Sequence, residues 1–195
     1  AAERGIAQVH EMAGPLISGE EDTRLLLELA ASDEPLPEVV AYWGQLASEG
    51  GLETMRRLGA YGAAGDLFVD GAIGSRTACL RSPYSDDAST SGKLFHDGAA
   101  IAAHLVECSR QGVQAGFHVI GDAAMDAIVA GLRAAAADVG ADAVRALRHR
   151  LEHAEMLDAD QIAALADLGV VASVQPAFDS AWGGEHGMYV DRLGA

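Results

Sequence analysis

Basic residues are scarce in this chain of 195 residues, in which 13 lysines and arginines stand against 29 aspartates and glutamates. The resulting formal net charge of −16 repels nucleic acid and anionic membrane surfaces, so we exclude both as partners. The acidic residues are spread along the sequence instead of forming a tail. That distribution is typical of a charged, solubilising surface.

Cysteine is also rare, since Cys79 and Cys108 are the only two and neither lies in a CxxC spacing. This usage favours reduced thiols in a cytoplasmic protein over a disulfide framework. No apolar run approaches the ~20 residues that a membrane span requires. The first residues have no signal-peptide pattern and no initiator Met, so we expect a cytoplasmic protein with further sequence upstream.

Several short catalytic motifs are missing as well. The sequence contains no GxSxG, no P-loop, no GxGxxG and no HExxH. Their absence excludes the usual serine-hydrolase elbow, the glycine-rich phosphate-binding loops and the zinc-binding helix of many metalloproteases.

Strand-like and helix-like segments alternate along the chain. The predicted strands are residues 5–12, 38–43, 66–71, 116–120, 149–156 and 170–178. Helical patterns cover 20–31, 98–112, 123–137 and 157–169. In the last helix Asp158 is placed to cap the start, Gln161 to complete a reciprocal capping box and Gly169 to end it. Regular alternation predicts an α/β fold with a parallel sheet covered by helices.

Two architectures fit this alternation, a closed (β/α) barrel and an open doubly wound sheet. A typical barrel has eight units and about 250 residues. Six units are found here, so a barrel would be partial. The segment 71–98 is rich in Gly, Ser and Asp, and a loop of that length is usually functional or mobile.

Polar side chains gather at the carboxyl ends of the predicted strands, where parallel α/β proteins place reactive groups. They are His10, Asp70, His118, His153 and Gln175. His118 and His153 lie about one βα unit apart, so both imidazoles are expected to point into one mouth. Neutral imidazole is a common zinc ligand, but a catalytic zinc needs a third protein ligand. The alternative is that each histidine is a hydrogen-bonded core residue.

The remaining polar residues have simpler interpretations. Asp122 is expected to be the N-cap of the following helix. Glu152 should point to the opposite face of its strand from His153, which favours a structural role. Four further histidines lie in helix or loop contexts and are expected to face solvent: His96, His104, His149 and His186.

Four segments, in order along nearly the whole chain, resemble the amidohydrolase superfamily. They are "GIAQVHEM", "LFVDGAIGSRTACL", "GFHVIGDAAMDAI" and "RHRLEHAEMLDADQIAALADLGVVASVQPAF". The resemblance is strongest to the YtcJ-like branch (amidohydrolase family 3), which includes N-substituted formamide deformylase. Each element is modest alone, and together they are specific.

The resemblance implies a (β/α)8 TIM-type barrel of the metal-dependent hydrolase type, joined to a small β-sandwich. Residues 1–195 would be part of one barrel catalytic domain, roughly strands 2 to 7, with the sandwich not present in this chain. His118 matches the family's fifth-strand metal ligand and His153 the sixth-strand ligand. The first-strand HxH pair and the eighth-strand aspartate have no counterpart here.

Asp66 is a departure from the pattern, because many relatives have a lysine before "LFxDG". Asp66 is expected either to bind the metal through its carboxylate or to face solvent, and we favour a metal ligand with a catalytic role. Arg76, in the loop 70–77 over the pocket, is the candidate for holding a substrate carbonyl or carboxylate. A loop-anchoring salt bridge is the alternative for Arg76. Gln175 and Phe178 are expected to shape the pocket, although core packing explains Phe178 equally well.

The resemblance therefore predicts a hydrolase that cleaves a non-peptide, amide-type C–N bond by metal-activated water. The expected cofactor is a divalent metal, zinc foremost, as one or two ions. The expected partner is a small-molecule amide, with a homo-oligomer possible. Two alternatives stay open: a catalytically incompetent barrel with a binding or regulatory role, and an unrelated doubly wound ligand-binding domain.

Overall fold

The computed structural model describes residues 1–194 of the chain. Its strands are β1 (Gln8–Ala13), β2 (Glu38–Trp43), β3 (Gly116–Val119), β4 (Arg150–His153) and β5 (Val171–Ser173). Its helices are α1 (Gly19–Ala30), α2 (Gly51–Leu58), α3 (Gly98–Arg110), α4 (Asp122–Val139), α5 (Ala141–Leu147), α6 (Ala159–Asp167), α7 (Ala177–Trp182) and α8 (Met188–Leu193). None of these helices is long and apolar enough to cross a membrane.

All strand pairings between these elements are parallel, which confirms the predicted α/β class. β1 pairs with β2, and β3, β4 and β5 form a second group in that order. The strands are parallel because the chain returns through a crossover connection to the same end of the sheet before the next strand begins.

The prediction of a regular strand at residues 66–71 is wrong, although this part of the chain lies between β2 and β3, where such a strand would lie. Isolated parallel bridges join Gly62 to Tyr42 of β2 and Phe68 to His118 of β3. Between these bridges Gly65 has a φ of +108°, which interrupts an extended conformation. The irregular segment 62–69 therefore stands between β2 and β3 and joins the two groups of strands.

Two other predicted strands are too long. The run 149–156 ends at His153, because His153 and Ala154 have φ values of +70° and +47°, outside the β region. The run 170–178 ends at Ser173, and α7 then begins at Ala177, directly after Pro176.

The helix ends mostly follow the prediction. The capping box of Asp158 and Gln161 is present at α6, and Gly169 follows that helix with a φ of +66°. The prediction that Asp122 is the N-cap is wrong by one position. The N-cap is Gly121, and α4 begins at Asp122 itself. Its carboxylate accepts hydrogen bonds from the backbone N–H groups of Ala123 and Arg81.

The core lies between the strands and the helices α3 and α4. Every residue of β3 is buried, which explains its continuous apolar run. Phe117 of β3 packs in one hydrophobic cluster with the inward residues of α3 and α4, among them Ile101, Leu105, Ile128 and Leu132. This packing fixes β3, and with it His118, against the body of the protein.

The expectation that His104 and His149 face solvent is wrong, since each is only 1% exposed. His104 accepts the N–H of Ala47 at Nδ1, and its Nε2 donates to the carbonyl of Ala63. His149 accepts the N–H of Ala115 at Nδ1, and its Nε2 lies 3.0 Å from Ser109 Oγ. Both rings thus supply hydrogen bonds that buried backbone groups would otherwise lack. Burial lowers the pKa of each to about 4, so both are neutral at pH 7.

Candidate metal centre

Asp66, His118 and His153 converge at the carboxyl end of the strands. One ligand atom from each side chain can be chosen so that all three atoms lie within 4.8 Å of one another. Asp66 comes from the irregular segment 62–69, His118 from β3 and His153 from the end of β4. Because these three stretches are neighbours in parallel order, residues distant in sequence meet at one edge. The structure thus brings together the three residues that the sequence proposed as ligands.

The ring of His118 is oriented by a backbone carbonyl. Its Nε2 lies 3.1 Å from the carbonyl oxygen of Gly71, which only accepts, so Nε2 is the protonated nitrogen. Nδ1 therefore has a free lone pair. This atom is buried, has no hydrogen-bond partner within residues 1–194, and lies 3.9 Å from Asp66 Oδ1. A buried, unpartnered acceptor is unfavourable unless a ligand supplies the missing contact.

His153 is oriented by a side chain. Gln175 Nε2 lies 3.2 Å from the carbonyl of Ser173, which turns Gln175 Oε1 towards His153 Nδ1 at 2.8 Å. His153 Nδ1 must then be the donor, and its Nε2 has the free lone pair. The φ of +70° at His153 is unusual for a residue with a side chain, and such strain is often found at functional sites.

Two electrostatic features suit a cation at this point. Burial lowers the pKa of His118 to about 4, so its imidazole is neutral and free to bind at neutral pH. Burial also raises the pKa of Asp66, and nearby Glu152 and Glu11 act in the same direction against the pull of His153. A bound cation would favour the neutral imidazole of His118 and the ionised carboxylate of Asp66, so it would oppose the effect of burial on Asp66.

The donor set fits a divalent metal. Two imidazole nitrogens and one carboxylate oxygen match the ligands that zinc and similar ions take in proteins. Metal-binding histidines usually donate their second N–H to a carbonyl or carboxylate. Here His118 donates to a backbone carbonyl and His153 to an amide oxygen, which is the arrangement that metal-binding histidines usually have.

Two of the cavities that border His118 or His153 are large enough and placed to take a ligand. The first, which we call the large cavity, has a volume of 730 Å³ and is lined by Asp66, Phe68, Thr77, Phe95 and His118, among others. The second, the aromatic cavity, has a volume of 290 Å³, and both His118 and His153 line it. Its other walls include Phe178, Trp182 and Tyr189.

Sequence reasoning missed Glu155 and Tyr189, which lie beside His153. The Tyr189 hydroxyl donates to Glu155 Oε2 at 3.2 Å. Burial raises the pKa of the half-buried Glu155 carboxyl, against the effects of Tyr189 and His153. The signal was the spacing in "EHAEM", where Glu155 follows His153 by two positions. The partner Tyr189 is too distant in sequence to be inferred.

Arg76 is not brought into the three-residue cluster. Its Nε and Nη2 donate to the two carboxylate oxygens of Asp86 at 3.0 and 2.7 Å, and Arg192 binds the same carboxylate. Asp70 is fully buried, and its carboxylate accepts the backbone N–H groups of Cys79, Ile120 and Gly121. Both contacts hold the 71–98 loop in place.

The strand interior below the cluster is polar. Glu152 is buried and ion-paired with Arg150, which also donates to Ser173 Oγ. The guanidinium of Arg150 lies 5.5 Å from the ring centre of Tyr42 and 3.2 Å from His10 Nδ1. The exposed His10 therefore contacts Arg150 and does not join the three-residue cluster.

Comparison with known families gives one match over the full chain. The sequence profile of the Amidohydrolase family matches residues 1–195. A Bacillus subtilis (strain 168) protein named "Putative amidohydrolase YtcJ" is 33% identical over 132 residues, which are 66% of this chain and 22% of that protein. An Arabidopsis thaliana protein, LONG AFTER FAR-RED 3, is 33% identical over 109 residues, 56% of this chain and 18% of that protein.

Solved structures agree in fold. A metal-dependent hydrolase of Pyrococcus furiosus superposes with a TM-score of 0.71 and 27% identity, over 96% of this chain and 37% of that one. Another, from Pyrococcus horikoshii OT3, gives a TM-score of 0.66 and 26% identity over 96% of this chain and 35% of that one. The chain therefore spans much less than half the length of each of these relatives.

Proposed function

Because this chain belongs to the amidohydrolase family, we propose that the protein is a metal-dependent hydrolase of an amide-type, non-peptide C–N bond. Residues 1–195 would form part of one (β/α)8 TIM-type catalytic barrel, with β1, β2, the segment 62–69, β3, β4 and β5 at six successive strand positions. The parallel order of these elements supports the proposal.

The proposal depends on one observation: two imidazole rings each have a free lone pair, and both lie beside a carboxylate. His118 Nδ1, His153 Nε2 and a carboxylate oxygen of Asp66 are the proposed ligands, and zinc is the proposed ion. When bound, such an ion lowers the pKa of a coordinated water to ~7 and polarises a carbonyl oxygen. Further ligands would come from the rest of the protein.

The chain's own residues would hold the ligands and the substrate. Gly71 and Gln175 fix the two imidazoles through their second nitrogens, so each free lone pair has a set direction. Since Gly71 begins the 71–98 loop, a ligand histidine is coupled to that loop.

The large cavity is the proposed place of the substrate. Phe68 and Phe95 offer apolar walls to it, while Ser75, Thr77 and Gln45 offer polar groups that would orient an amide. Arg76 would act on the substrate indirectly, because its ion pair with Asp86 fixes the loop that forms one wall of the cavity.

Metal content and amide hydrolysis of the purified full-length protein test the proposal together. We expect bound divalent metal, hydrolysis of at least one N-substituted formamide or aryl amide, loss of activity with a chelator and recovery with zinc. His118→Ala and His153→Ala should lose both metal and activity, whereas His186→Ala, an exposed histidine, should lose neither.

Full activity in both variants would contradict the proposal. Tight metal binding without hydrolysis of any amide would favour the second candidate, a non-catalytic barrel with a binding or regulatory role. This candidate is favoured because the family resemblance implies a lysine in many relatives where this chain has Asp66.

A further inference from the structure

The aromatic cavity has no part in the proposed hydrolysis beyond its two histidines, yet its walls are unusual. The rings of Phe178 and Trp182 have centroids 4.5 Å apart, and those of Trp182 and Tyr189 are 6.2 Å apart at an angle of 73°. Trp182 lines the cavity and is 39% exposed. Three rings from α7 and α8 thus present their surfaces to a space beside the candidate metal centre.

One carboxylate faces the same space. Glu155 lines the aromatic cavity, and the hydroxyl of Tyr189 is its hydrogen-bond donor at 3.2 Å. Among the described residues, no lysine or arginine lines this cavity, and Glu155 forms no ion pair. A half-buried carboxylate without a cation is poorly compensated for its lost hydration.

The negative charge continues into an adjoining cavity of 350 Å³. This space shares His153, Glu155, Phe178 and Tyr189 with the aromatic cavity and adds Asp179. Its described lining likewise contains no lysine or arginine. The two cavities together offer aromatic faces and two carboxylates, with no lysine or arginine in their described linings.

We propose that the aromatic cavity binds an organic cation, namely a substituted ammonium group carried by the substrate. The faces of Phe178, Trp182 and Tyr189 attract a cation through their quadrupoles, and the Glu155 carboxylate supplies the opposite charge. A neutral apolar group would fill the space but leave Glu155 unpaired. The net charge of −16 on this chain adds a field that draws cations towards this part of the protein.

This inference rests on the proposed function only in assigning the cation to a substrate, because binding itself needs no turnover. Choline and 3,3-dimethyl-1-butanol test it, since they share a shape and differ in the charge of the quaternary centre. Calorimetry is a suitable readout, because it measures binding without depending on tryptophans elsewhere in the full-length protein.

We expect choline to bind the full-length protein about tenfold more tightly than its neutral isostere, as a cation–π contact with a carboxylate partner allows. Glu155→Gln should reduce that preference about fivefold, and Trp182→Leu should weaken choline binding about tenfold when measured by calorimetry. Glu53→Gln is the matched control. It removes the same charge from an exposed position on α2 and should leave choline binding unchanged.

Equal binding of the two compounds, or no saturable binding of choline, would overturn the inference. An equal loss of choline binding in Glu155→Gln and Glu53→Gln would also overturn it, because the effect would then come only from the net charge of the protein. If Glu155→Gln fails to fold by circular dichroism, the exposed Trp182→Leu decides the question. Choline binding by a protein that hydrolyses nothing would contradict the proposed function alone. Amide hydrolysis without a preference for choline would contradict this inference alone.

Discussion

Two pairs of buried or half-buried histidines stand in the same fold and differ in one respect. His104 and His149, away from the candidate metal centre, use both ring nitrogens in contacts with the protein. His118 and His153, at the carboxyl ends of β3 and β4, use only one nitrogen each. The first pair is saturated, and the second has a free lone pair on each ring.

The difference teaches how to separate a structural histidine from a ligand. Burial does not do so, since the pKa of His104, His149 and His118 is lowered to about 4 in each case by the same loss of hydration. The count of satisfied ring nitrogens does, because a ligand must keep one lone pair free while the other nitrogen fixes the ring.

The largest expected effect follows from removing the free lone pairs. His118→Ala and His153→Ala should each weaken zinc binding more than about 100-fold, because a primary ligand is lost. Their stability without metal should fall less than in the saturated pair, since each ring makes one hydrogen bond to the protein instead of two. Competition with a chromophoric chelator measures the affinity. Wild-type affinity in either variant would sink the assignment of that residue as a ligand.

The saturated pair should respond in the opposite way. His104→Ala and His149→Ala should each lower the free energy of unfolding by about 2–4 kcal/mol, because they leave buried backbone groups unpaired and create a cavity. Urea denaturation measures the loss, and zinc stoichiometry of the folded fraction should stay at the wild-type value. If either variant lost zinc without losing stability, the distinction between the two pairs of histidines would be wrong.

Asp66→Asn gives a smaller effect on the same site. The amide keeps the shape and removes the charge, so we expect zinc binding to weaken about tenfold to 100-fold. Removing the charge also relieves a partly desolvated carboxylate, so the metal-free protein should be no less stable. Asp138→Asn, a surface change in α4, is the control for net charge. Equal affinities in Asp66→Asn and wild type would show that Asp66 faces solvent only.

The smallest expected effect is a pH dependence of stability. The folded pKa of His149 is about 4 and its ordinary value is 6.5. The unfolded chain therefore binds more protons between these values, and stability falls as pH falls from about 6.5 towards 4. His149→Asn keeps an acceptor for the Ala115 N–H and cannot titrate. Between pH 7 and pH 5 this variant should lose about 1–2 kcal/mol less than wild type in urea denaturation. Parallel curves would contradict the assigned neutral state.

Much of the fold follows from local patterns. The parallel α/β class, the capping box at α6 and the long helix α4 are readable because each depends on residues close in sequence. The interruption at Gly65 and the early end of β4 at His153 depend on a backbone conformation that periodicity does not reveal. Likewise α7 begins within a run whose apolar residues are compatible with a strand.

The candidate site divides in the same manner. His118 and His153 are predictable because strand ends in a parallel sheet meet at one edge. The contact of Arg76 with Asp86 was foreseen only as an alternative, and the burial of His104 and His149 was not foreseen. Their partners, Ala63, Ala115 and Ser109, come from other elements, so only the folded chain places them within hydrogen-bond distance.

Nitrogen-15 NMR of the histidine rings during zinc titration tests the central claim most directly, since it reports each ring nitrogen separately. The account predicts large shifts at His118 Nδ1 and His153 Nε2, with the signals of His104 and His149 unmoved. Zinc that shifts the saturated pair, or that leaves the two free nitrogens unchanged, would contradict it.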